Sequence, residues 1–241
     1  MKRAAALALF LALAALPAMA QTVTFDLGEG PGLSGRAVQL ILLLTLLSLV
    51  PGLAVMITCF PFVVTVLSIL RQAIGLQQSP PNMLIVTLAL FLTWYVMDPV
   101  LAEAWRVAGE PLTRDAIGLE EAIPAALGPF RVFMAARIDP DTFAALAALR
   151  PPASAGAGVA EAPLSLLVPS FLLSEIQRAF EIGFLIFLPF LVIDLVVAAV
   201  LMSMGMMMVP PAVVALPFKL AFFVVADGWG LIAAALVRGY M

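Results

Sequence analysis

Histidine is absent from this 241-residue sequence, and cysteine occurs only once, as Cys59. The lack of histidine removes the most common general base, zinc ligand and proton-relay side chain from any site that the chain builds. A single cysteine excludes both a disulfide within the chain and a metal cluster held by cysteines. The sequence also has no Ser-His-Asp set, HExxH motif or P-loop, so it predicts no catalytic residues, no metal and no cofactor.

Charged residues are scarce too, at 11% of the chain, whereas 64% of the residues are hydrophobic. The mean hydropathy is +1.15, while about a quarter of the residues of a typical soluble protein are charged. The net charge is −3, and no basic patch indicates a nucleic-acid partner. The composition therefore predicts an integral membrane protein, with room for four hydrophobic helical segments of about 20 residues each.

The first twenty residues have the features of a secretory signal peptide. Lys2 and Arg3 form a basic start, residues 4–16 are apolar, and residues 18–20 read Ala-Met-Ala, a small-x-small cleavage site. We therefore expect residues 1–20 to be cleaved from the mature chain. An uncleaved first span is the alternative, but the apolar run is short for one.

The remaining chain alternates between polar and hydrophobic regions. Residues 21–36 are polar and glycine-rich and predict an extracytoplasmic tail. Residues 37–102 predict a first hydrophobic hairpin, in which Pro51-Gly52 should bend or break the first segment. Residues 103–181 hold six basic and ten acidic residues, which predicts a water-facing region. Residues 182–241 predict a second hydrophobic hairpin.

The water-facing region contains two stretches with helical spacing, Leu119–Ala136 and Pro140–Leu149. Residues 150–163, rich in proline, alanine and glycine, predict a loop. A cleaved signal peptide would place this whole region outside the cytoplasm, and the Arg71 loop and the turn of the second hairpin inside. The positive-inside rule adds little to this topology, because few basic residues flank the segments.

Each arm of the second hairpin carries an ionisable residue within its apolar stretch, Asp194 in the first and Lys219 in the second. If both arms are helices, the two charges lie at similar depth. Charges at membrane depth are costly and usually face a partner or a wet cavity. The residues alone allow a structural pair, an interface between subunits or an ion pathway, and they favour the structural pair.

The turn between the arms is crowded with methionine, at Met202, Met204, Met206, Met207 and Met208. Two prolines follow it, and the turn has no polar cover, so it needs burial somewhere. Unbranched thioether side chains repack around objects of different shape. A ring of them would close a pore yet yield to a passing chain, so we predict a pore gasket formed by Met204, Met206, Met207 and Met208.

Glu175, Arg178 and Glu181 follow one another at three-residue spacing, close to where the second hairpin begins. This spacing predicts a ladder of charges along one face of a helix. From these residues alone, a solvated helix face is the preferred interpretation.

The order of features in the second hairpin is specific. Asp194 is followed by the methionines, by Pro210-Pro211, by Pro-Phe-Lys at residues 217–219 and by Asp-Gly-Trp at residues 227–229. This order resembles the FliP family of flagellar export-gate proteins, which has relatives in injectisomes. The resemblance extends upstream through Leu-Arg-Gln-Ala-Ile-Gly at residues 70–75.

The resemblance implies an all-α membrane protein without enzymatic activity. It implies four hydrophobic helical segments, some of them broken, in two hairpins, with a helical extracytoplasmic region, assembling into a ring. The implied partners are other copies of the chain, the FliQ and FliR families, an assembly factor of the FliO family and unfolded flagellar export substrates. The implied location is the bacterial inner membrane, in the flagellar basal body.

The resemblance also assigns roles to particular residues. It implies the gasket role for the four methionines named above, and a role in subunit assembly for Phe133, Phe143 and Glu175. Two alternatives stay open: an injectisome gate subunit, and an ion-coupled transporter or proton channel that uses Asp194 and Lys219. The signal peptide favours the flagellar branch, and the lack of histidine and of further acids within the membrane disfavours a channel.

Overall fold

The structure, a computed structural model, describes residues 33–75, 80–149 and 158–240. Within these ranges the chain forms helices and no strand, which confirms the predicted all-α class. The expected signal peptide and most of the expected tail lie outside the described residues. The chain separates into two compact units, residues 1–46 and 47–241, and the hydrophobic core lies in the second.

Nine α-helices and two short irregular turns make up the described chain. The α-helices are α1 (Leu33–Met56), α2 (Phe60–Ile74), α3 (Asn82–Ala104), α4 (Glu110–Thr113), α5 (Leu119–Ala135), α6 (Pro140–Ala148), α7 (Leu164–Ser203), α8 (Pro211–Val225) and α9 (Gly228–Arg238). A π-helical turn, Trp105–Gly109, joins α3 to α4, and a 3-10 turn, Val159–Glu161, precedes α7. The two helices predicted in the water-facing region, α5 and α6, are confirmed to within one residue at each end.

Two of the described helices are long and apolar enough to cross a membrane unaided, namely Asn82–Thr113 and α7. Two bent pairs raise the number to four if each counts as one span: Leu40–Met56 with α2, and α8 with α9, which are inclined at 61°. At 1.5 Å per residue, the 40 residues of α7 extend about 60 Å. This length is about twice the thickness of a hydrocarbon core, so α7 reaches well beyond it.

The break in the first hairpin lies later than the sequence predicts. Helix α1 continues through Pro51-Gly52 to Met56, and the chain leaves the helical conformation only at residues 57–59. Pro61 then occupies the first turn of α2, where the missing N–H of proline has no helical partner to lose. Of the bend or break predicted at Pro51-Gly52, the break is wrong, because helix α1 continues through this pair and the next helix begins at Phe60.

The helices extend past two predicted segment ends. Residues 82–113 continue helically beyond residue 102, and α7 begins at Leu164 instead of near Ile182. In both places charged residues end the apolar run without ending the helix, because hydropathy reports the surroundings of a side chain and not its backbone conformation.

Helix α2 lies at the centre of the core and packs against α3, α7 and α8. Its buried side chains recur at three- and four-residue spacing, as an amphipathic helix requires: Phe62, Val63, Val66, Leu67, Leu70, Ala73 and Ile74. Gly183 allows α7 to approach closely, because a Cβ atom there would lie 2.4 Å from Ile69 Cδ1. A smaller cluster of Met134, Leu167 and Phe171 joins α5 to α7.

Candidate functional site

Lys219 joins three helices through its ammonium group. The side chain belongs to α8 and is nearly fully buried. Its Nζ lies 2.6 Å from Asp194 Oδ2 on α7, and it also donates a hydrogen bond to the carbonyl oxygen of Ala73, at 3.0 Å. Ala73 lies in the last turn of α2, where carbonyls have no partner within their own helix. The structure thus places Asp194 and Lys219 in contact, and Lys219 ties this pair to α2.

Asp194 is less completely satisfied than Lys219. Its Oδ1 atom is buried and has no hydrogen-bond partner among the described residues, although 33% of the side chain is exposed. A buried acceptor without a partner is unfavourable by about 1–3 kcal/mol. The ion pair of Lys219 with Asp194, which we call the Lys219 pair, therefore joins the two arms and leaves Asp194 Oδ1 without a hydrogen bond from the described residues.

The turn of the second hairpin is built by its backbone. Gly205 adopts a left-handed conformation, with φ of +73°. The N–H of Met206 donates to the carbonyl of Leu201 at 2.9 Å, and the N–H of Gly205 donates to that of Met202 at 3.1 Å. These are the two bonds of a Schellman motif, which ends α7. The methionine side chains make no hydrogen bond that this turn requires.

The methionine side chains of this turn are largely exposed. The exposed fractions are 65% for Met204, 39% for Met206, 83% for Met207 and 96% for Met208. We call residues 204–208 the methionine turn. An exposed apolar group of this kind marks a surface that meets other chains, a ligand or lipid, and these residues do not fill the core of the subunit.

An apolar groove lies between the two arms next to the methionine turn. It has a volume of about 440 Å³, and its lining includes Val192, Val196, Val200, Val214 and Phe218. The arms are therefore not close-packed where they approach the turn. This space leaves the end of the hairpin freer to adjust than the part held by Lys219.

A second charged cluster surrounds Glu175 on α7, whose side chain is 0% exposed. Arg137 Nε donates to Glu175 Oε1 at 2.8 Å, and the Tyr240 hydroxyl donates to Oε2. Arg178 Nη1 lies 3.6 Å from Oε1. The solvated helix face preferred from the sequence is therefore wrong for Glu175, because partners from two distant segments enclose the carboxylate.

Arg137 and Tyr240 contact each other as well as Glu175. The guanidinium carbon of Arg137 lies 3.8 Å from the centroid of the Tyr240 ring, and Nη1 donates to the carbonyl of Gly239 at 2.7 Å. Burial raises the pKa of Tyr240, and the neighbouring Glu175 carboxylate raises it further. The hydroxyl consequently keeps its proton at neutral pH and remains a donor.

The three residues expected in subunit assembly do not lie together. Phe133 stacks on Tyr240, with ring centroids 6.0 Å apart, and so joins the cluster of Glu175. Phe143 is half-buried on α6 and makes no ring contact with this cluster among the described residues. The structure thus brings Glu175 and Phe133 together and leaves Phe143 apart.

Sequence reasoning missed Arg137 and Tyr240, although both complete the cluster. Arg137 follows α5 directly and Tyr240 follows α9, and neither belongs to a local motif that indicates a role. A buried acidic residue needs a cation as partner, so knowledge that Glu175 is buried would have indicated a search for one. The sequence alone does not show this burial.

Long apolar helices with paired charges between them, and an exposed apolar turn, define a helical integral membrane protein with polar contacts in its interior. The family model of FliP matches residues 43–236. Because this match covers most of the sequence, the chain belongs to the FliP family, as the resemblance of its second hairpin predicted.

Relatives from several bacteria support this assignment. The flagellar biosynthetic protein FliP of Caulobacter vibrioides is 50% identical, over 100% of this chain and 92% of that protein. Those of Rhizobium meliloti and Bacillus subtilis are 46% and 44% identical, over 83% and 84% of this chain and 82% and 91% of the relatives. The family consists of membrane proteins of the flagellar export apparatus and is not known for enzymatic activity.

Proposed function

We propose that this chain is a core pore-forming subunit of the flagellar type III export gate, where it conducts unfolded flagellar subunits across the bacterial inner membrane. Family membership and the names of the relatives, all flagellar biosynthetic proteins, support this role. The subunit forms a ring with other copies of itself in the basal body. Its further partners are proteins of the FliQ and FliR families and an assembly factor of the FliO family.

The methionine turn is the structural observation that supports a pore-forming role. Its apolar side chains are exposed although the backbone does not need them for its shape. Several copies arranged in a ring would bring these turns together around one axis. Flexible thioethers fill irregular gaps, so such a ring would seal a pore against ions and still deform around a passing polypeptide.

The Lys219 pair has a supporting role in this proposal. It holds α7, α8 and the end of α2 together, so that the arms behind the turn stay in register while the turn adjusts. Phe133, Phe143 and Glu175 support the assembly of subunits into the ring.

Deletion and complementation test the general role. A strain that lacks the chain should lose its flagella and keep normal growth and normal proton flux, and the full chain should restore flagella. A proton-flux defect in cells that carry no flagella would contradict the export gate and favour an ion channel.

Substitution of the four methionines tests the gasket. Replacing Met204, Met206, Met207 and Met208 with alanine in the assembled complex should make membranes leak small ions while the complex still forms. Met83→Ala is a matched control, because Met83 is 79% exposed but lies far from the turn in the sequence. An unchanged ion conductance in the fourfold variant would contradict the gasket.

A further inference from the structure

We propose that Arg137 and Tyr240 are positioning residues for assembly, which act by locking Glu175 inside its own subunit. The proposal rests on the function proposed above and adds two residues to it. It also changes how Glu175 works, because the residue then supports assembly without touching a neighbouring subunit.

Glu175 has no surface to offer a neighbour. Its side chain is fully buried, and each carboxylate oxygen already accepts a hydrogen bond from its own chain, one from Arg137 and one from Tyr240. A second subunit would have to displace one of these donors and strand a buried charge, which is strongly unfavourable. An effect of Glu175 on assembly must therefore pass through the residues that hold it.

Arg137 connects this carboxylate to two other parts of the chain. Its side chain is 13% exposed, it follows α5 directly, and it donates to the carbonyl of Gly239 beyond α9. A guanidinium serves several acceptors at fixed angles and also packs on an aromatic face. Arg137 uses both properties, so it fixes α5, α7 and the segment after α9 relative to one another.

Tyr240 holds the second carboxylate oxygen of Glu175. Its hydroxyl reaches Glu175, while its ring lies against Arg137, stacks on Phe133 and meets Phe62 of α2 edge-on, with centroids 5.5 Å apart. Phe133 is the α5 residue that the family resemblance linked to assembly. Its next neighbour, Val132, is 68% exposed, so a shift of the Tyr240 ring would move an outward-facing part of α5.

A double-mutant cycle in the full-length chain tests this lock. Tyr240→Phe removes one hydroxyl and keeps the ring, and Glu175→Gln removes the charge and keeps the shape. Tyr240→Phe should lower the assembled fraction, read on native gels in detergent, by roughly tenfold, the effect of losing one hydrogen bond to a charged group. Glu175→Gln should lower it at least as much, because it also removes the charge that pairs with Arg137. The assembled fraction of the double variant should equal that of the single variant that assembles less, because both changes break the same contact.

Tyr95→Phe and Glu181→Gln are matched controls. Tyr95 is exposed, and Glu181 lies on α7 six residues beyond Glu175 and is also exposed. Neither change should alter assembly. Additive losses in the double variant, or equal losses in the controls, would overturn the proposal.

A charge exchange separates a lock within one subunit from a contact between two. The chain with both Arg137→Glu and Glu175→Arg should assemble better than either single variant, whereas coexpression of the two single variants should not restore assembly. Restoration by coexpression would show that the pair forms between subunits and would overturn the lock. If the exchanged chain does not fold, the double-mutant cycle decides.

Thermal unfolding of the purified subunit separates this proposal from the gate function. Coupling between Tyr240→Phe and Glu175→Gln should appear in the unfolding midpoint of the unassembled chain, whether or not flagella depend on the protein. A chain that fails to restore flagella but shows this coupling contradicts the gate and retains the lock. Absence of the coupling overturns the lock.

Discussion

The two ends of α7 differ in almost every physical respect. Near its start, Glu175 is fully buried and charged, and its partners come from segments far away in the sequence. At its other end, Met207 and Met208 are uncharged and almost fully exposed. One helix therefore joins an end with a fixed arrangement to an end whose side chains are free to rearrange. The difference shows that contacts between distant segments hold the helix around Glu175, whereas the methionine side chains beyond its other end are not held by the core of the subunit.

The Lys219 pair lies between these ends and limits how far rearrangement can spread. It links both arms of the hairpin to α2, while the apolar groove extends along the arms from the level of this pair toward the turn. Each of the following predictions disturbs one side of this contrast and should leave the other side unaffected.

Loss of the Lys219 charge should lower the unfolding free energy more than any other change considered below. Lys219→Met leaves the Asp194 carboxylate without its cation, at a cost of about 3–5 kcal/mol in unfolding free energy for a fully buried pair. The effect should fall toward the lower limit, because a third of the Asp194 side chain is exposed. Thermal unfolding in detergent measures it.

The matched control for this change neutralises both partners. Lys219→Met combined with Asp194→Asn should regain most of the lost unfolding free energy, because no charge is then left unpaired. A double variant as unstable as Lys219→Met alone would mean that the stranded charge is not the cause.

A methyl group at Gly228 should have the next largest effect. A Cβ atom there would lie 2.2–2.7 Å from carbons of the Phe223 ring, and this ring is held edge-on against Trp229 at 5.3 Å. Gly228→Ala should therefore lower the unfolding free energy by about 1–3 kcal/mol through overpacking. Unfolding of the purified subunit measures the loss.

Gly205 in the methionine turn provides the contrast with Gly228. No atom lies within 4 Å of a Cβ at Gly205, so Gly205→Ala is opposed only by its left-handed backbone, by about 1 kcal/mol. Asparagine tolerates this conformation, so Gly205→Asn should be milder than Gly205→Ala, while Gly228→Asn should be worse than Gly228→Ala. The opposite order at either site would contradict this division between packing and backbone strain.

Polar substitutions in the methionine turn should hardly change the subunit alone. Met207→Ser with Met208→Ser should alter its unfolding free energy by less than about 0.5 kcal/mol, as exposed sites usually do. Met97→Ser is the comparison, because Met97 is 1% exposed and truncation in the core costs about 2–5 kcal/mol. Similar losses at both places would show that the turn is packed after all.

A local effect is expected at the start of α6. The Asp139 carboxylate accepts hydrogen bonds from the backbone N–H and hydroxyl of Thr142, both at 2.8 Å, and these bonds lower the pKa of Asp139. The cap therefore contributes fully above the ordinary aspartate pKa of about 4. It is lost as the pH falls through the lower value of the folded state.

Hydrogen exchange at the Thr142 amide checks this cap. Protection should decrease on acidification below about pH 4 in the wild type, and much less in Asp139→Asn, because asparagine caps helices without a charge. Equal pH dependence in both chains would assign the effect to another acid.

Local patterns in the sequence predicted the features that local physics determines. The spacing of apolar residues located α5 and α6, and the methionines with Gly205 located the end of α7. The pairing of Asp194 with Lys219 was also accessible, because a hairpin brings its arms together at matching depth. These features depend on residues close in the sequence or related by one turn.

The remaining features depend on contacts between distant segments. Glu175 meets Arg137 across 38 residues and Tyr240 across 65, and helical spacing contains no information on either contact. The start of α7 was misplaced because the helix continues through Glu175, Arg178 and Glu181, of which only Glu175 is buried by other segments. The break predicted at Pro51-Gly52 does not occur, because a long helix accommodates a proline and a glycine that would stop a short one.

The Schellman motif at Gly205 has a consequence for how the turn can change over evolutionary time. Backbone bonds alone fix the path of the chain there, so folding does not constrain the identity of the side chains at positions 206–208. The stability of the subunit therefore places little restriction on which side chains occupy these positions.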